Sequence, residues 1–371
     1  MNVGVFLTYD YSLKTLSSSG ILIRELKLYQ EIHNKFGTNF TIFTYGDIID
    51  EELLPSKSGI SVFPIYKLIK KNKNKYFRVI KSLLIPFLIR KDIKNIDILH
   101  QHQLNGVWIP LICKALYKKP LYMRTGYDAY SFSIKDNDNK LLQFFYKFLT
   151  ILTLKFSDLY TVTSKTDLEF LTSNFSFNEN KIVVRPNWVT IPEVNKKFQV
   201  FNKVLSVGRL VKQKNFSLLI KEMKKINSIT LDIVGAGPLE KELRDLSTKE
   251  GVLVNFLGTL DYENLQNLYN DYTFYISTSS FEGNPKTILE AMASGCVVIA
   301  SDIESHREII TNDFNGKIFD KNNPNLIKLL DEFINNPDKV SFCSKNAIES
   351  VKKYNSLDKI VVDTYSDYEQ L

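Results

Sequence analysis

The chain contains few cysteines and no long apolar run. Its three cysteines, Cys113, Cys296 and Cys343, are widely spaced among 371 residues. Such spacing excludes a metal-ligand pattern and fits a reducing compartment such as a bacterial cytoplasm. No apolar run approaches about 18 residues, which excludes a membrane-spanning helix from the sequence alone. Residues 1–7 predict a core strand rather than a secretory signal, so we expect a cytoplasmic protein.

The chain also lacks the GxGxxG turn of a dinucleotide site. Asn2–Thr8 predicts a strand, Ser17–Gly20 a loop and Ile21–Phe36 a helix. That order lets backbone amides approach a phosphate, so Gly20 is a candidate for donor binding.

A length of 371 residues exceeds one ordinary core and predicts two domains. Short apolar strands alternate with helices in both halves, which is typical of doubly wound parallel sheets. We therefore expect two Rossmann-like α/β domains that face each other across a cleft. The predicted parts are a first domain over 1–187, a linker over 188–200, a second domain over 201–345 and two C-terminal helices over 346–371, whose return to the first domain is left open.

Eleven segments are predicted as strands. They are Asn2–Thr8, Asn39–Thr44, Asp97–His102, Leu121–Arg124, Leu159–Thr163 and Lys181–Arg185 in the first half, and Lys203–Val207, Thr230–Val234, Val252–Leu257, Thr273–Ser277 and Cys296–Ser301 in the second. Leu141–Phe156 is rich in Phe and Leu, and its apolar character on all sides predicts an interior helix.

The net charge of +7 is unevenly distributed. Lys67–Lys94 holds ten Lys or Arg residues and a single acid, Asp92, with aromatic and aliphatic residues between them. Such a segment is a solvated basic face, an anionic-membrane surface or a nucleic-acid patch. Because no nucleic-acid motif accompanies the charge, we expect no nucleic acid, and peripheral attachment to the inner membrane face remains open.

The segment 279–302 carries two carboxylates around the predicted start of a helix. Glu282 lies in a loop before Pro285, which suits the first helical turn, and Glu290 lies within the helix. Free backbone N–H groups at a helix start favour an anion. The two acids could therefore address the two ends of a diphosphate ligand.

Two further strand ends contribute glycines and cations. Gly208 and Arg209 follow one predicted strand, with Lys214 nearby, and Gly235–Pro238 follows the next. Arginine offers a planar fork for phosphate oxygens, and lysine a mobile point charge. Taken alone, the first loop is better explained as an ordinary basic loop, and the Gly-rich turn is a weak nucleotide signal.

Together these motifs resemble glycosyltransferase family 4, the retaining sugar-nucleotide transferases of GT-B fold. The resemblance rests on Gly208–Leu210 with Lys214, on Gly235–Leu239, and on Glu282–Gly283 through Glu290–Gly295, in this order. It covers most of the second half of the chain, whereas the first half matches mainly in organisation. The resemblance implies a donor on the second domain and an acceptor on the first.

The resemblance also implies roles for single residues. Arg209 and Lys214 would bind the diphosphate, Glu290 the ribose hydroxyls, and Glu282 the donor sugar. No metal or other cofactor is expected, because cations and helix dipoles would take its place. The whole implied donor set is Gly20, Gly208, Arg209, Lys214, Gly235, Gly237, Pro238, Glu282, Gly283, Asn284, Pro285, Lys286 and Glu290.

The first half departs from the family pattern. Many members carry a histidine after the strand that here reads LYMR, and this chain has Arg124-Thr125-Gly126-Tyr127-Asp128 there. Arg124, Tyr127 and Asp128 are therefore candidates on the acceptor side, with Asp128 as a catalytic candidate. His100 and His102 are alternatives, although a strand-end histidine is often only hydrogen-bonded structure.

The sequence thus predicts a retaining, metal-independent hexosyltransferase. Its donor would be a nucleotide sugar, and its acceptor a glycan or lipid-linked precursor of a cell-surface polysaccharide such as lipopolysaccharide. One alternative is a sugar-nucleotide epimerase or phosphorylase of the same fold. Another is a non-enzymatic module that binds nucleotide sugars or nucleic acid. Asp136-Asn137-Asp138 resembles a metal-binding DxD motif, but its polar surroundings indicate a surface loop.

Overall fold

The computed structural model describes residues 1–54, 59–193, 202–224 and 229–371. The chain divides into two compact units, one formed by 1–185 with 360–371 and the other by 186–359. Of the predicted linker 188–200, residues 194–200 lie outside the described residues. Of the predicted C-terminal part 346–371, residues 346–359 belong to the second unit and 360–371 to the first.

The first unit contains a seven-stranded parallel sheet in the order β3-β2-β1-β4-β5-β6-β7. Its elements are β1 (Asn2–Phe6), α1 (Leu13–Ser18), α2 (Leu22–Phe36), β2 (Asn39–Thr44), α3 (Ile49–Glu52), β3 (Ile60–Pro64), α4 (Lys75–Ser82), α5 (Ile85–Leu88), α6 (Arg90–Lys94), β4 (Ile98–His102), α7 (Trp108–Tyr117), β5 (Leu121–Arg124), α8 (Ala129–Lys135), α9 (Lys140–Phe156), β6 (Leu159–Val162), α10 (Lys165–Asn174) and β7 (Ile182–Val184), with 3-10 turns at Ile65–Lys67 and Glu179–Lys181.

The second unit contains a six-stranded parallel sheet in the order β10-β9-β8-β11-β12-β13. Its elements are β8 (Lys203–Val207), a 3-10 turn (Lys212–Lys214), α11 (Phe216–Met223), β9 (Thr230–Val234), α12 (Glu240–Glu250), β10 (Val254–Phe256), α13 (Tyr262–Asn270), β11 (Phe274–Ser277), α14 (Lys286–Ala293), β12 (Val297–Ser301), α15 (Glu304–Arg307), β13 (Lys317–Phe319), α16 (Leu326–Ile334) and α17 (Pro337–Asn355). The last helix, α18 (Leu357–Glu369), begins in this unit and ends in the first.

Each face of the second sheet has its own apolar core, because successive strand residues point to opposite faces. Val204 packs in one core with Phe274 and Ile299, whereas Leu205 packs in the other. Helices therefore cover both faces of this sheet, as they do in the first unit. The predicted class of two doubly wound parallel-sheet domains is confirmed.

The eleven predicted strands are all present, and the two strands that were not predicted lie at sheet edges. β3 and β13 close the outer edges of the two sheets. β13 is only three residues long and β3 ends in Pro64, so neither has the long apolar run that marks a central strand.

Two local predictions were wrong. The predicted loop Ser17–Gly20 is partly helical, because Ser12 caps α1 by accepting a hydrogen bond from the Thr15 amide, and Leu13 and Leu16 are buried. The helix over 141–156 forms as α9, but it is not an interior helix. Its first half leaves large apolar side chains in solvent, including Leu141 at 79% exposure.

All three cysteines are buried free thiols. Among the described residues, no helix combines the length and the apolar character that crossing a bilayer requires.

Candidate functional site

The strand order of the second sheet reverses between β8 and β11, which are neighbours although three helices separate them in sequence. In open α/β sheets, ligands bind beyond the carboxyl ends of the strands at such a switch point. The loop 208–215 leaves β8 there, and the loop 278–285 leaves β11. The predicted donor residues of the second half are mainly on these two loops.

The loop after β8 brings one exposed and one buried cation to this edge. Arg209 is exposed, and within the described ranges no side chain forms an ion pair with it. Lys214 folds back over Gly208, where an added Cβ would lie 3.2 Å from the Lys214 Cδ and Cε atoms. Gly208 therefore leaves room for the lysine stem.

The loop after β9 packs against the loop after β8 through backbone atoms. Gly235 has φ of 139°, and an added Cβ would lie 2.0 Å from the Gly208 carbonyl oxygen. At Gly237, an added Cβ would lie 2.5 Å from the Leu210 carbonyl oxygen. These glycines permit the close approach of two loops, while Pro238 beside them is exposed.

Lys214 and Glu282 form an ion pair at the centre of the switch point. The Lys214 Nζ lies 2.5 Å from Glu282 Oε1, and the two side chains are 16% and 10% exposed. Ser279 donates its hydroxyl to the same carboxylate oxygen at 2.7 Å, and the Gln213 amide donates to Oε2 at 3.3 Å. The carboxylate is therefore fixed in place by three donors.

Sequence reasoning did not identify Ser279 or Gln213 as partners of Glu282. Further bonds join the same two loops: the Ser280 amide donates to the Gln213 carbonyl at 2.8 Å, and the Thr278 hydroxyl to the Lys214 carbonyl at 3.1 Å. Gln213 is 69 positions from Glu282, so no spacing rule links the two, whereas Ser279 lies three residues before Glu282 and could have been found by that spacing. The bonds fix the site before any ligand binds, which is the condition for electrostatic stabilisation.

The start of α14 offers backbone donors beside the ion pair. Pro285 is the N-cap residue, and no side chain among the described residues caps this helix. Asn284 is buried, and its side chain and carbonyl oxygens accept hydrogen bonds from Asn187 at 2.9 and 2.6 Å. The Lys286 Nζ lies 4.9 Å from the centroid of the Trp188 ring. Free amides and the helix dipole favour an anion at this point.

Glu290 lies deeper than Glu282. It is 1% exposed, and its Oε2 accepts a hydrogen bond from the Tyr269 hydroxyl at 3.3 Å. Burial raises the pKa of Tyr275, and the negative charges of Glu282 and Glu290 raise it further. The neutral Tyr275 phenol thus lies close enough to both carboxylates to sense their charge.

A histidine that sequence reasoning missed lies behind the ion pair. His306 is fully buried, and its Nδ1 lies 2.8 Å from the Ser301 carbonyl oxygen. Burial lowers its pKa to about 4, so the ring is neutral at pH 7. Ser301 in turn donates its hydroxyl to the Ser279 carbonyl at 2.5 Å, which links His306 to the loop that carries Glu282.

Three cations lie at the ends of these strands in addition to Lys214. Arg209 follows β8, Lys286 begins α14, and Lys321 follows β13 with its Nζ 3.5 Å from the Ser280 carbonyl oxygen. Glu282 pairs with Lys214. The arrangement suits a ligand with several negative oxygens, such as a diphosphate.

The first sheet has its own switch point, between β1 and β4. His102 ends β4, its side chain is 19% exposed, and its Nε2 lies 3.8 Å from Glu25 Oε2. The carboxylate of Glu25 can orient this ring. Among the predicted acceptor residues, His102 therefore combines partial exposure with a polar partner.

His100 differs from His102 in its surroundings. It is fully buried, its Nδ1 lies 2.7 Å from the Tyr368 hydroxyl, and its ring packs edge-on against Tyr29 and Tyr122. Burial lowers its pKa well below the ordinary value. These contacts fit the alternative in which a histidine at a strand end serves only a structural role. We therefore do not assign His100 to the acceptor side.

Asp128 is the N-cap residue of α8. Its Oδ1 accepts a hydrogen bond from the Ser131 amide at 2.6 Å, and it is 1% exposed. Burial raises its pKa to about 7, and Oδ2 has no hydrogen-bond partner in the described part of the chain. Arg124 before it is buried at 8% exposure, whereas Tyr127 is 41% exposed.

Gly20 belongs to the first unit, whereas the proposed donor loops belong to the second unit. Its φ is 70° and its amide donates to the Ser17 carbonyl at 2.9 Å, in the turn between α1 and α2.

Asp136 and Asn137, from the DxD-like run, lie exposed between α8 and α9. Within the described ranges, no three His, Cys, Asp or Glu side chains gather as a metal-ligand set.

Comparison with known proteins agrees with this geometry. The family model of glycosyl transferases group 1 matches residues 190–350. The O-antigen biosynthesis glycosyltransferase WbnH of Escherichia coli is 31% identical over 261 residues, which are 68% of this chain and 70% of that protein. The range that the family model matches includes both loops that carry the ion pair.

Two further likenesses are useful. A Campylobacter jejuni N-acetylgalactosaminyltransferase that acts on a diphospho-undecaprenol-linked sugar is 31% identical over 52% of this chain, and the match spans about half of that protein, 54%. The crystal structure of Anabaena HepE with UDP-glucose has a TM-score of 0.78 and 16% identity, and covers 100% of both chains. At that identity, the likeness shows the fold alone.

Proposed function

Because the chain belongs to the glycosyl transferases of group 1, we propose that it moves a sugar from a nucleotide diphosphate sugar to a lipid-linked glycan with retention of configuration. Membership of glycosyltransferase family 4 is part of this proposal. The observation that carries it is the Lys214–Glu282 ion pair at the switch point of the second sheet, with the uncompensated Arg209 on the same loop as Lys214.

The second unit is proposed to bind the donor. Arg209 and Lys214 contact the diphosphate, and the amides of Gly283, Asn284 and Lys286 add backbone donors. Glu282 contacts the sugar, and Ser279 and Gln213 hold its carboxylate in place. Glu290 contacts the ribose hydroxyls, and its carboxylate also accepts the hydrogen bond from the Tyr269 hydroxyl. Gly208, Gly235 and Gly237 act by keeping the two loops in contact.

The proposed chemistry relies on charge. As the bond between the anomeric carbon and the diphosphate breaks, negative charge grows on the leaving oxygen. The acceptor oxygen bonds to the anomeric carbon from the same face, and its proton passes to the leaving diphosphate. Arg209, Lys214 and the amino end of α14 stabilise that charge in a site already fixed by hydrogen bonds. Because these groups supply the positive charge, we propose that the reaction is independent of metal.

The donor and acceptor classes draw on what is known of similar proteins. HepE binds UDP-glucose, which supports a UDP-hexose as donor. The Campylobacter relative acts on a diphospho-undecaprenol-linked sugar and WbnH in O-antigen biosynthesis, which supports a polysaccharide precursor as acceptor. Because free cysteines fit a reducing compartment, we propose cytoplasmic localisation with Lys67–Lys94 facing anionic lipid. His102, Tyr127, Arg124 and Asp128 are the proposed acceptor-side residues.

A transfer assay with a panel of UDP- and GDP-sugars tests this function. We expect a new glycoside whose anomeric configuration, read by NMR, equals that of the donor, and a rate unchanged by EDTA. Glu282→Gln should lower the rate by about 100-fold or more, as loss of a preorganised group does. Glu263→Gln, on the exposed side of α13, is the matched control and should leave the rate unchanged.

Three results would overturn the proposal. An epimerised donor without transfer would indicate the alternative enzyme class. An inverted product would refute retention, and full activity in Glu282→Gln would refute the assigned site.

A further inference from the structure

Helix α9 exposes an apolar stripe. Phe144 is 67% exposed and Phe148 49% exposed, and the neighbours on this side of the helix recur at intervals of three and four residues, which places them on one face. The members of the stripe are Leu141, Phe144, Phe145, Phe148 and Ile151. The buried side chains of α9, including Leu149 and Leu154, lie on another face and pack in the core of the first unit.

The helices α4 and α5 expose a second apolar stripe. Its members are Tyr76, Phe77, Val79, Ile80, Leu83, Leu84, Phe87 and Leu88, with exposures from 37% to 69%. Ile85 and Ile89 on the other side of these helices are buried in the core. The stripe is therefore an outward face that the fold leaves uncovered.

Trp108 joins the two stripes. Its indole Nε1 donates to the Ser82 hydroxyl at the end of α4 at 2.8 Å, and its ring centroid lies 6.3 Å from that of Phe145 on α9. The two stripes therefore lie on either side of one residue and form one surface, which we call the α4–α9 face. Exposed apolar areas of this extent mark interaction sites.

Positive charge lines the α4 side of this face. Lys70, Lys73 and Lys81 are exposed, and among the residues that the structure describes none forms an ion pair with them. By contrast, Arg78 and Lys71 are paired with Asp10 at 2.7 and 3.4 Å. Further cations lie on helices α4, α6 and α9: Lys75, Arg90, Lys91, Lys94, Lys140 and Lys147.

We propose that the α4–α9 face docks on the surface of an anionic lipid bilayer, with the aromatic stripe of α9 inserted among the acyl chains. Aromatic side chains beside lysines are typical of interfacial membrane elements, and each lysine near an anionic surface adds attraction. A second copy of this chain fits poorly, because a two-fold interface would place the same lysines against each other. The proposal extends the membrane role of 67–94 to α9, which sequence reasoning placed in the interior.

This inference agrees with the proposed lipid-linked acceptor but is argued from the surface itself. It is tested without any sugar substrate, so failure of vesicle binding and failure of sugar transfer are separate results.

The test is co-sedimentation of the full chain with phosphatidylcholine vesicles, with and without phosphatidylglycerol. Wild type should bind the anionic vesicles and bind the neutral ones weakly. Phe144→Ser with Phe148→Ser should lower partitioning about tenfold or more, because two apolar side chains no longer leave water. Lys70→Gln with Lys73→Gln and Lys81→Gln should lower binding to anionic vesicles about tenfold and leave neutral vesicles unaffected.

Leu253→Ser is the matched control, because Leu253 lies in the second unit and is 67% exposed, as Phe144 is. It should bind vesicles like wild type. Unchanged binding in both the phenylalanine and the lysine variants would overturn the proposal. Equal binding of wild type to neutral and anionic vesicles would also overturn it. A third contradicting result is that wild type binds no vesicles but sediments as a dimer, and that the phenylalanine variant sediments as a monomer.

Discussion

Helices α9 and α14 are both rich in apolar residues, but the fold covers only one of them. In α14, Ile288, Leu289 and Met292 are fully buried, because β11, β12, α13 and α17 all contact this helix. In α9, the first half contacts mainly α7 and α8, and Phe144 remains 67% exposed. Apolar character thus predicts that a side chain avoids water. It does not predict whether the side chain packs against the rest of the protein or against a partner.

The comparison also separates two kinds of function. The covered helix α14 starts beside a fixed network of an ion pair and hydrogen bonds, which holds Glu282 and Lys214 in place. The uncovered helix α9 offers a broad apolar face, which suits a surface without specific geometry. Three substitutions test how far this contrast holds.

The largest effect is expected in α14. Leu289→Ala removes a fully buried side chain in the second core and should cost about 2–5 kcal/mol in the free energy of unfolding. The measurement is urea unfolding followed by tryptophan fluorescence and circular dichroism. A loss below about 1 kcal/mol would mean that α14 is less tightly packed than the structure shows.

The next effect concerns α8, which leads into α9 and is capped by the buried Asp128. Burial raises the pKa of this carboxyl to about 7, whereas it is about 3.9 in an unfolded chain. Between about pH 3.9 and about pH 7, the Asp128 carboxyl is protonated in the folded state and ionised in the unfolded state. Stability should therefore be fully present below about pH 4 and decline as the pH rises to about 7.

Asp128→Asn tests this pH dependence while keeping a side chain that can cap the helix. The variant should lack the decline, and at pH 8 it should be more stable than wild type by about 4 kcal/mol. Unfolding curves of both proteins between pH 4 and pH 8 measure the difference. Parallel curves would show that Asp128 is ionised in the folded protein.

The smallest effect is expected in the uncovered stripe. Phe144→Ala should change the free energy of unfolding by less than about 0.5 kcal/mol, because the side chain makes little contact with the core. The same urea experiment measures it. A loss comparable to that of Leu289→Ala would mean that a part of this chain covers α9 in solution.

The sequence predicted all the strands inside each sheet and also the edge strands β7 and β10, because each contains an apolar run that can be recognised. It missed β3 and β13, which lie at the opposite edges of the two sheets. It also misplaced α9, since periodicity reports a helix but not its neighbours. Burial is a property of the whole fold, and one helix does not encode it alone.

The candidate site shows a similar division. Glu282 and Lys214 were identified singly from their loops, and the structure adds that they form one ion pair. Ser279 was missed although it lies only three residues before Glu282 in the same loop. Gln213 and His306 were missed, because their roles depend on contacts between segments that follow different strands. Such contacts arise only when the sheet brings its carboxyl ends together.

The rate of sugar transfer in Lys214→Met, compared with Lys212→Met, tests the central claim most directly. Both lysines lie in the same 3-10 turn, but Lys212 is exposed and Lys214 is paired with Glu282. We predict that Lys214→Met lowers the rate by about 100-fold or more while Lys212→Met remains near wild type, with both variants folded. Equal rates in the two variants would contradict the account, because the ion pair would then have no part in transfer.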